Sequence, residues 1–125
     1  MIVRNLSQAA VRAMARIDLA DVTEEPASLI EAFDFHGCDC GVASFVGQPP
    51  WERHNGGDEL LHVLSGEIES TLRENGRDVV RTLRAGDLAI IPRGAWHRNH
   101  AHSGVTLLYM TPRDGNDHSW DAPVA

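Results

Sequence analysis

The sequence predicts an all-β fold, an antiparallel sandwich or barrel. From residue 33 onward, short apolar segments recur, and glycine, proline, asparagine and aspartate interrupt them at regular intervals. Such spacing without interleaved helical patterns is typical of antiparallel sheets rather than of parallel ones. A length of 125 residues favours a single domain that can bury its own core.

The strands follow in order along the chain. They are predicted at 38–46, 50–54, 59–64, 67–73, 78–83, 88–91, 95–99 and 105–111. Asn75-Gly76 is the strongest hairpin signal, because both residues tolerate the positive φ of a tight turn.

Residues 1–32 are predicted to form an N-terminal arm, and residues 33–125 the barrel domain. Within the arm, Ser7 could cap a short helix over 8–16, and Pro26 ends any continuous element.

Composition narrows the classes of partner. Hydrophobic residues make up 42% of the chain and charged residues 23%, which is ordinary globular usage. The net charge is −7, and all 11 basic residues are scattered arginines, so nucleic acid is not an expected partner. No segment has the length of a signal peptide core or a membrane span, so we expect a cytoplasmic protein without a membrane partner. Cys38 and Cys40 are expected to be reduced thiols, with a metal thiolate pair as the alternative.

A first polar cluster lies in the stretch WERHNGGDELLHVLSG, residues 51–66. Glu52 and His54 lie two residues apart in a strand, so their side chains point to the same side. Glu59 opens the next strand, and we expect it to pair with His54 across a hairpin at 55–58. Alternation places His62 on the other face and outside the site.

A second cluster lies in GDLAIIPRGAWHRNH, residues 86–100. His97 follows Trp96 in a predicted strand, and a buried imidazole there needs partners for its nitrogens. Two carboxylates, Glu52 and Glu59, that converge with His54 and His97 inside a barrel would suit a divalent first-row metal. The alternative without a metal is that these residues are ordinary surface groups at strand ends.

These two segments resemble the paired motifs of the cupin superfamily over roughly residues 38–111. The residues that match in order and spacing are His54, Glu59 and Gly66 in the first motif, and Gly86, Pro92, Gly94 and His97 in the second. The chain departs from the pattern where Glu52 replaces the first histidine of the family's His-x-His pair. Ala101 replaces the asparagine that closes the second motif, and Phe45 or Val46 replaces the opening glycine of the first.

The resemblance implies a jelly-roll β-barrel, a homodimer, and one divalent metal ion (Fe, Mn, Zn or Ni) at the barrel mouth. Its ligand set would be His54, His97, Glu59 and Glu52. Glu52 has three open roles: it could ligate the metal, act as a catalytic general base beside it, or turn away towards Arg53 or solvent. The family implies dioxygenase, isomerase, decarboxylase or lyase chemistry on a small carboxylate, enol or carbonyl substrate. Non-catalytic binding or sensing of a small molecule is the alternative, and an empty structural remnant is a third.

Other residues complete the expected site. An apolar cavity is predicted from Leu61, Val63, Leu88, Ile90, Leu108 and Met110. Arginines could bind a substrate carboxylate, but alternation predicts that Arg53 and Arg98 point outward. His100 and His102 are expected in a solvated loop. His118 lies in a polar tail that is either a flexible terminus or folds over the barrel mouth.

Overall fold

A computed structural model describes residues 1–3, 5, 6, 15–17 and 28–124 of the chain. Within these residues, no helix has the length and apolarity that crossing a bilayer requires. The described strands are β1 (Ala15–Ile17), β2 (Ser28–Phe35), β3 (Cys38–Gly47), β4 (Trp51–His54), β5 (Glu59–Glu74), β6 (Arg77–Arg84), β7 (Leu88–Ile91), β8 (His97–Pro112) and β9 (Asn116–Ser119).

The strands form a curled, almost entirely antiparallel sheet, as the sequence predicted. One path through it runs β1-β3-β8-β4-β9, and β2 pairs with β3. The long strands β5 and β8 pair with each other near both their ends, while β7 and β6 pair with successive halves of β5. Both long strands therefore run through the two walls of the barrel, and this brings their side chains to one interior.

Two pairs of predicted strands are continuous in the structure. The segments 59–64 and 67–73 form β5, and 95–99 and 105–111 form β8. The gaps left between the predicted strands, at 65–66 and 100–104, lie within these continuous strands, with register shifts beside Gly66. The predicted hairpin at Asn75-Gly76 is confirmed, and both residues have positive φ.

The N-terminal prediction is only partly covered by the described residues. Leu6 is helical, but residues 7–14, most of the predicted helix over 8–16, lie outside the described part of the chain. The last two residues of that prediction are wrong, because Ala15 and Arg16 belong to β1 and pair in parallel with β3. Pairing with the sheet gives their backbone groups hydrogen-bond partners, and this outweighs a weak helix propensity. β2 spans the predicted arm boundary at residue 32.

The core fills the inside of the curled sheet. Its fully enclosed residues include Val63, Ile68, Ala101 and Val105, with Leu107 beside them. Cys38 and Cys40 are free thiols, as expected, and Cys40 is buried. Phe45 and Leu61 belong to the same core cluster.

A close backbone crossing fixes where β5 bends against β8. Gly66 has φ +74°, and a Cβ at this position would lie 2.3 Å from the Gly104 carbonyl oxygen. Gly76 has the same φ of +74°, but a Cβ there would meet nothing within 4 Å. The two glycines therefore share the same backbone strain and differ in the space around them.

We expect Gly66→Ala to destabilise the protein by at least about 2 kcal/mol more than Gly76→Ala. Both substitutions force alanine into the left-handed region, but only the first also pushes β5 away from β8. Urea unfolding at unchanged m-value measures the difference. Equal midpoints for the two variants would show that the crossing is not tightly packed.

Candidate metal centre

The four residues predicted to form a site do converge. One ligand atom from each of Glu52, His54, Glu59 and His97 lies within 4.8 Å of every other. His54, Glu59 and His97 are buried, and the Glu52 side chain is 25% exposed. This cluster could hold a metal ion.

Strand register explains how the chain assembles the cluster. Glu52 is paired with His97 across β4 and β8, and His54 lies on the same face two residues further along β4. Glu59 opens β5, whose first residues pair with β7. The predicted hairpin is wrong, because the registered partners of β4 are β8 and β9. The side chains of His54 and Glu59 nevertheless meet, because β4 and β5 reach the same barrel mouth although they pair there with different strands.

Hydrogen bonds set the tautomers of both histidines. His54 Nδ1 donates to Asn116 Oδ1 at 2.9 Å, and Asn116 is held in turn by its Nδ2 donating to the Pro112 carbonyl. His97 Nδ1 lies 3.2 Å from the Ala95 carbonyl oxygen, which can only accept. Both Nδ1 atoms therefore carry hydrogen, and both Nε2 atoms are left to face the centre of the cluster.

Glu59 lies between the two imidazoles. Its Oε2 is 3.2 Å from His54 Nε2 and accepts a hydrogen bond from Thr111 Oγ1 at 2.7 Å, and its Oε1 is 3.2 Å from His97 Nε2. For three of these atoms, the contacts do not have the geometry of a hydrogen bond. His54 Nε2, His97 Nε2 and Glu59 Oε1 are buried without a hydrogen-bond partner. Such orphaned atoms are rare in native proteins and need an explanation.

Glu52 faces into the site and does not look away. Its Oε2 lies 3.6 Å from His54 Nε2 and 3.8 Å from His97 Nε2, while its Oε1 lies 3.5 Å from His118 Nε2. His118 belongs to β9, which pairs with β4 so that His118 is opposite Glu52 and Asn116 opposite His54. Of the two alternatives for the tail, folding over the barrel mouth is the one that the structure shows.

The electrostatics of the cluster are strongly coupled. Burial alone would lower the pKa of His54, but its interactions with Glu59, Asn116 and Glu52 outweigh burial and raise the pKa to about 9. Burial would raise the pKa of Glu59, but the two imidazoles outweigh it and hold that pKa well below its ordinary value. Glu59 is therefore a carboxylate at neutral pH, and His54 carries a proton whenever nothing else neutralises the carboxylates.

A cavity of about 190 Å³ opens beside the cluster. Its apolar wall includes Phe45, Leu61, Leu107 and Tyr109. Of the predicted lining residues, only Leu61 is confirmed. Val63 lies in the closed core, and Leu88 and Ile90 are exposed on the outside of β7. Leu108 and Met110 lie on the face of β8 opposite the cavity.

The two arginines nearest the cluster in sequence differ. Arg53 points away from the cluster, stacks on Trp96 and pairs with Asp117 at 2.6 Å. The outward prediction is wrong for Arg98, which lines the cavity.

His100 and His102 are in β8 rather than in a loop, with their rings 3.7 Å apart.

The sequence did not predict Asn116 and Thr111, which orient the side chains of His54 and Glu59 through hydrogen bonds. Neither belongs to the two motifs, and Asn116 lies in a polar tail that shows no strand alternation. Thr111 had one usable signal: in a continuous β8 it shares its face with His97.

The chain belongs to the cupin family. The sequence model of the Cupin_2 family, described as a cupin domain, matches residues 46–111. That range includes both motifs and all four residues of the cluster. A search of curated protein sequences finds no match to this chain.

Solved structures show the same fold. The chain is similar to TT1209 from Thermus thermophilus, at 22% identity and TM-score 0.66, covering 91% of this chain and 100% of that one. It is similar to a cupin-2 domain containing protein from Shewanella frigidimarina, at 20% identity and TM-score 0.64, covering 89% and 95%. It is also similar to the hydroquinone 1,2-dioxygenase PnpCD in complex with Cd²⁺ and 4-hydroxybenzonitrile, at 19% identity and TM-score 0.61, covering 74% and 68%.

The raised pKa of His54 predicts how pH acts on metal binding. A histidine ligates only when Nε2 has no proton, so below about pH 9 a metal must displace one proton from His54. We expect the Zn²⁺ affinity to rise about tenfold per pH unit from about pH 7 and to level off above the His54 pKa. Calorimetry in buffers of different ionisation enthalpy should detect about one proton released near neutral pH. Binding without proton release there would contradict the protonated His54.

Proposed function

We propose that this cupin binds one divalent first-row metal ion through His54, His97, Glu59 and Glu52 and acts on a small organic molecule in the adjoining cavity. The observation that carries the proposal is the set of three buried atoms without hydrogen-bond partners, His54 Nε2, His97 Nε2 and Glu59 Oε1. Leaving three such atoms unpaired costs several kcal/mol, on the order of 1–3 kcal/mol for each. A bound cation would satisfy all three at once.

The geometry and the donor types also fit a metal. Imidazole and carboxylate ligands lie about 2.0–2.2 Å from zinc, so two ligands of one ion are about 3–4 Å apart. The separations among the cluster atoms, 3.2, 3.6 and 3.8 Å, fall in that range. Two nitrogens with two carboxylates suit Fe, Mn, Zn or Ni, and the donor set does not select one of them.

Charge balance supports a dication. With both histidines neutral, Glu52 and Glu59 give the cluster a charge of −2, and a divalent ion neutralises it. Without an ion, the protonated His54 neutralises part of this charge, which agrees with its raised pKa. A neutral buried site costs far less free energy than a charged one.

The residues around the ion would have separate roles. When bound, the metal would supply Lewis acidity towards a substrate carbonyl or carboxylate. Glu59 is held by Thr111 and enclosed, which suits a permanent ligand. Glu52 is part-exposed and its contacts are longer, so we propose that it ligates the ion without substrate and can serve as a general base when substrate enters.

The comparisons support an enzyme acting on a small organic compound, since the similar structures include a dioxygenase with a metal and an aromatic ligand. The family resemblance further implies a homodimer, which stays a prediction, as does the expected cytoplasmic location. Val79, Leu88 and Ile90 are exposed and line one groove on β6 and β7, where we place the contact with a second copy.

We expect His97→Ala to abolish stoichiometric metal binding, because it removes a fully buried ligand from the centre of the cluster. The matched control is His102→Ala, which removes an exposed histidine 60% accessible on the same strand. Elemental analysis of both variants, expressed with Fe, Mn, Zn and Ni supplied, gives the answer. Full metal content in His97→Ala, or none in the unaltered protein, would refute the proposal.

Glu52→Gln separates the two roles of Glu52. The amide keeps the size of the side chain but loses its charge, so we expect Zn²⁺ affinity to fall by about 10–100-fold while a three-ligand site remains. Titration against a competing chelator measures the change. An affinity equal to that of the unaltered protein would exclude Glu52 as a ligand and leave only the general-base role.

A further inference from the structure

Arg98 contrasts with four other arginines of the described chain, which have carboxylate partners. Their pairs are Arg53–Asp117, Arg73–Asp78, Arg84–Glu67 and Arg113–Asp39. Within the described part of the chain, no carboxylate lies within ion-pair distance of Arg98. Its Nε donates to the Pro49 carbonyl at 3.2 Å, and its Nη2 is buried without any hydrogen-bond partner.

The surroundings of Arg98 make this lack of a partner costly. Arg98 is part-buried, so water solvates its charge only in part. Its guanidinium lies 5.8 Å from the Trp51 ring centroid, and the indole Nε1 of Trp51 is also buried without an acceptor. Two neighbouring donors, one of them cationic, therefore have no acceptor among the described residues.

Arg98 also lines the same cavity as the His/Glu cluster. In the proposed metal-bound state, Glu52 and Glu59 already neutralise a dication, so the centre has no net positive charge to attract an anion. Arg98 then contributes a positive charge to the cavity lining, and none of the described residues supplies its counterion. A planar guanidinium matches a carboxylate through two parallel N–H···O bonds.

We propose that Arg98 is a substrate-binding residue and that the natural substrate is an organic carboxylate, anchored by Arg98 while another part of the molecule faces the cluster. This inference rests on the proposed function for its choice of cavity, and it narrows the substrate class from carboxylate, enol or carbonyl compounds to carboxylates. The apolar wall of Phe45, Leu61 and Leu107 suits a short hydrocarbon or single-ring body. The cavity volume of about 190 Å³ favours a small body of this kind.

The test compares benzoate with benzamide, which has nearly the same shape but no charge. Calorimetry or NMR titration is performed on metal-free and on Zn²⁺-loaded protein. We expect the unaltered protein in both forms to bind benzoate at least about tenfold more tightly than benzamide, as a charge-assisted bidentate contact requires. Absence of that preference, or absence of benzoate binding at millimolar concentration, would overturn the inference.

Variants assign the preference to Arg98. Arg98→Gln should reduce benzoate affinity by about tenfold or more and leave benzamide affinity and Zn²⁺ content unchanged. Arg77→Gln, at an exposed position on the β5–β6 hairpin, is the matched control and should change nothing. Arg98→Lys keeps the charge but loses the planar fork, so its benzoate affinity should be intermediate.

The outcomes separate the two proposals. If the protein holds no metal and its metal-free form still prefers benzoate through Arg98, the metal proposal fails and the carboxylate anchor stands. If Zn²⁺ binds stoichiometrically and Arg98→Gln binds benzoate as well as the unaltered protein does, the anchor is wrong and the metal proposal stands.

Discussion

The rest of the site depends on the burial of the Glu59 carboxylate between two imidazoles. A carboxylate with almost no exposure is costly unless every oxygen is partnered. Thr111 supplies one hydrogen bond, and His54 and His97 lie 3.2 Å away on either side. The other Glu59 oxygen and both Nε2 atoms have these charged neighbours but no hydrogen bond, so the protein alone does not fully satisfy this arrangement.

The barrel is built so that this arrangement is rigid. Three of the groups that face the centre are each fixed by a second group behind them: His54 by Asn116, His97 by the Ala95 carbonyl, and Glu59 by Thr111. Asn116 comes from the last strand, which pairs with β4 and also brings His118 to Glu52. The C-terminal strand therefore helps to orient the cluster, and it is more than a cover for the barrel mouth.

The sequence predicted the architecture and the inner cluster well. Period-two alternation placed Glu52 and His54 on one face, and both motifs lie in the strands that meet at the barrel mouth. Their atoms converge even though the expected hairpin between β4 and β5 does not form. The prediction succeeded because side-chain type and face depend on local pattern, whereas strand partners depend on the whole sheet.

The failures also have physical causes. The sequence predicts two separate strands, 95–99 and 105–111, where the structure has the single strand β8. The prediction therefore faces Leu108 and Met110 inward, whereas Leu107 and Tyr109 line the cavity. A continuous strand from His97 carries the odd-numbered residues to one face. Arg98 departs from that alternation, because its long side chain lines the cavity while its Nε donates to the Pro49 carbonyl. Local pattern carries no information about such a contact.

The proposed function requires one metal ion at the point between His54, His97 and Glu59. Anomalous X-ray diffraction from crystals of metal-loaded protein, collected on both sides of the metal's absorption edge, locates such an ion. We expect a single strong peak at bonding distance from both Nε2 atoms and from a Glu59 oxygen. A protein loaded to full stoichiometry whose peak lies elsewhere, or which shows no ordered peak, would contradict it.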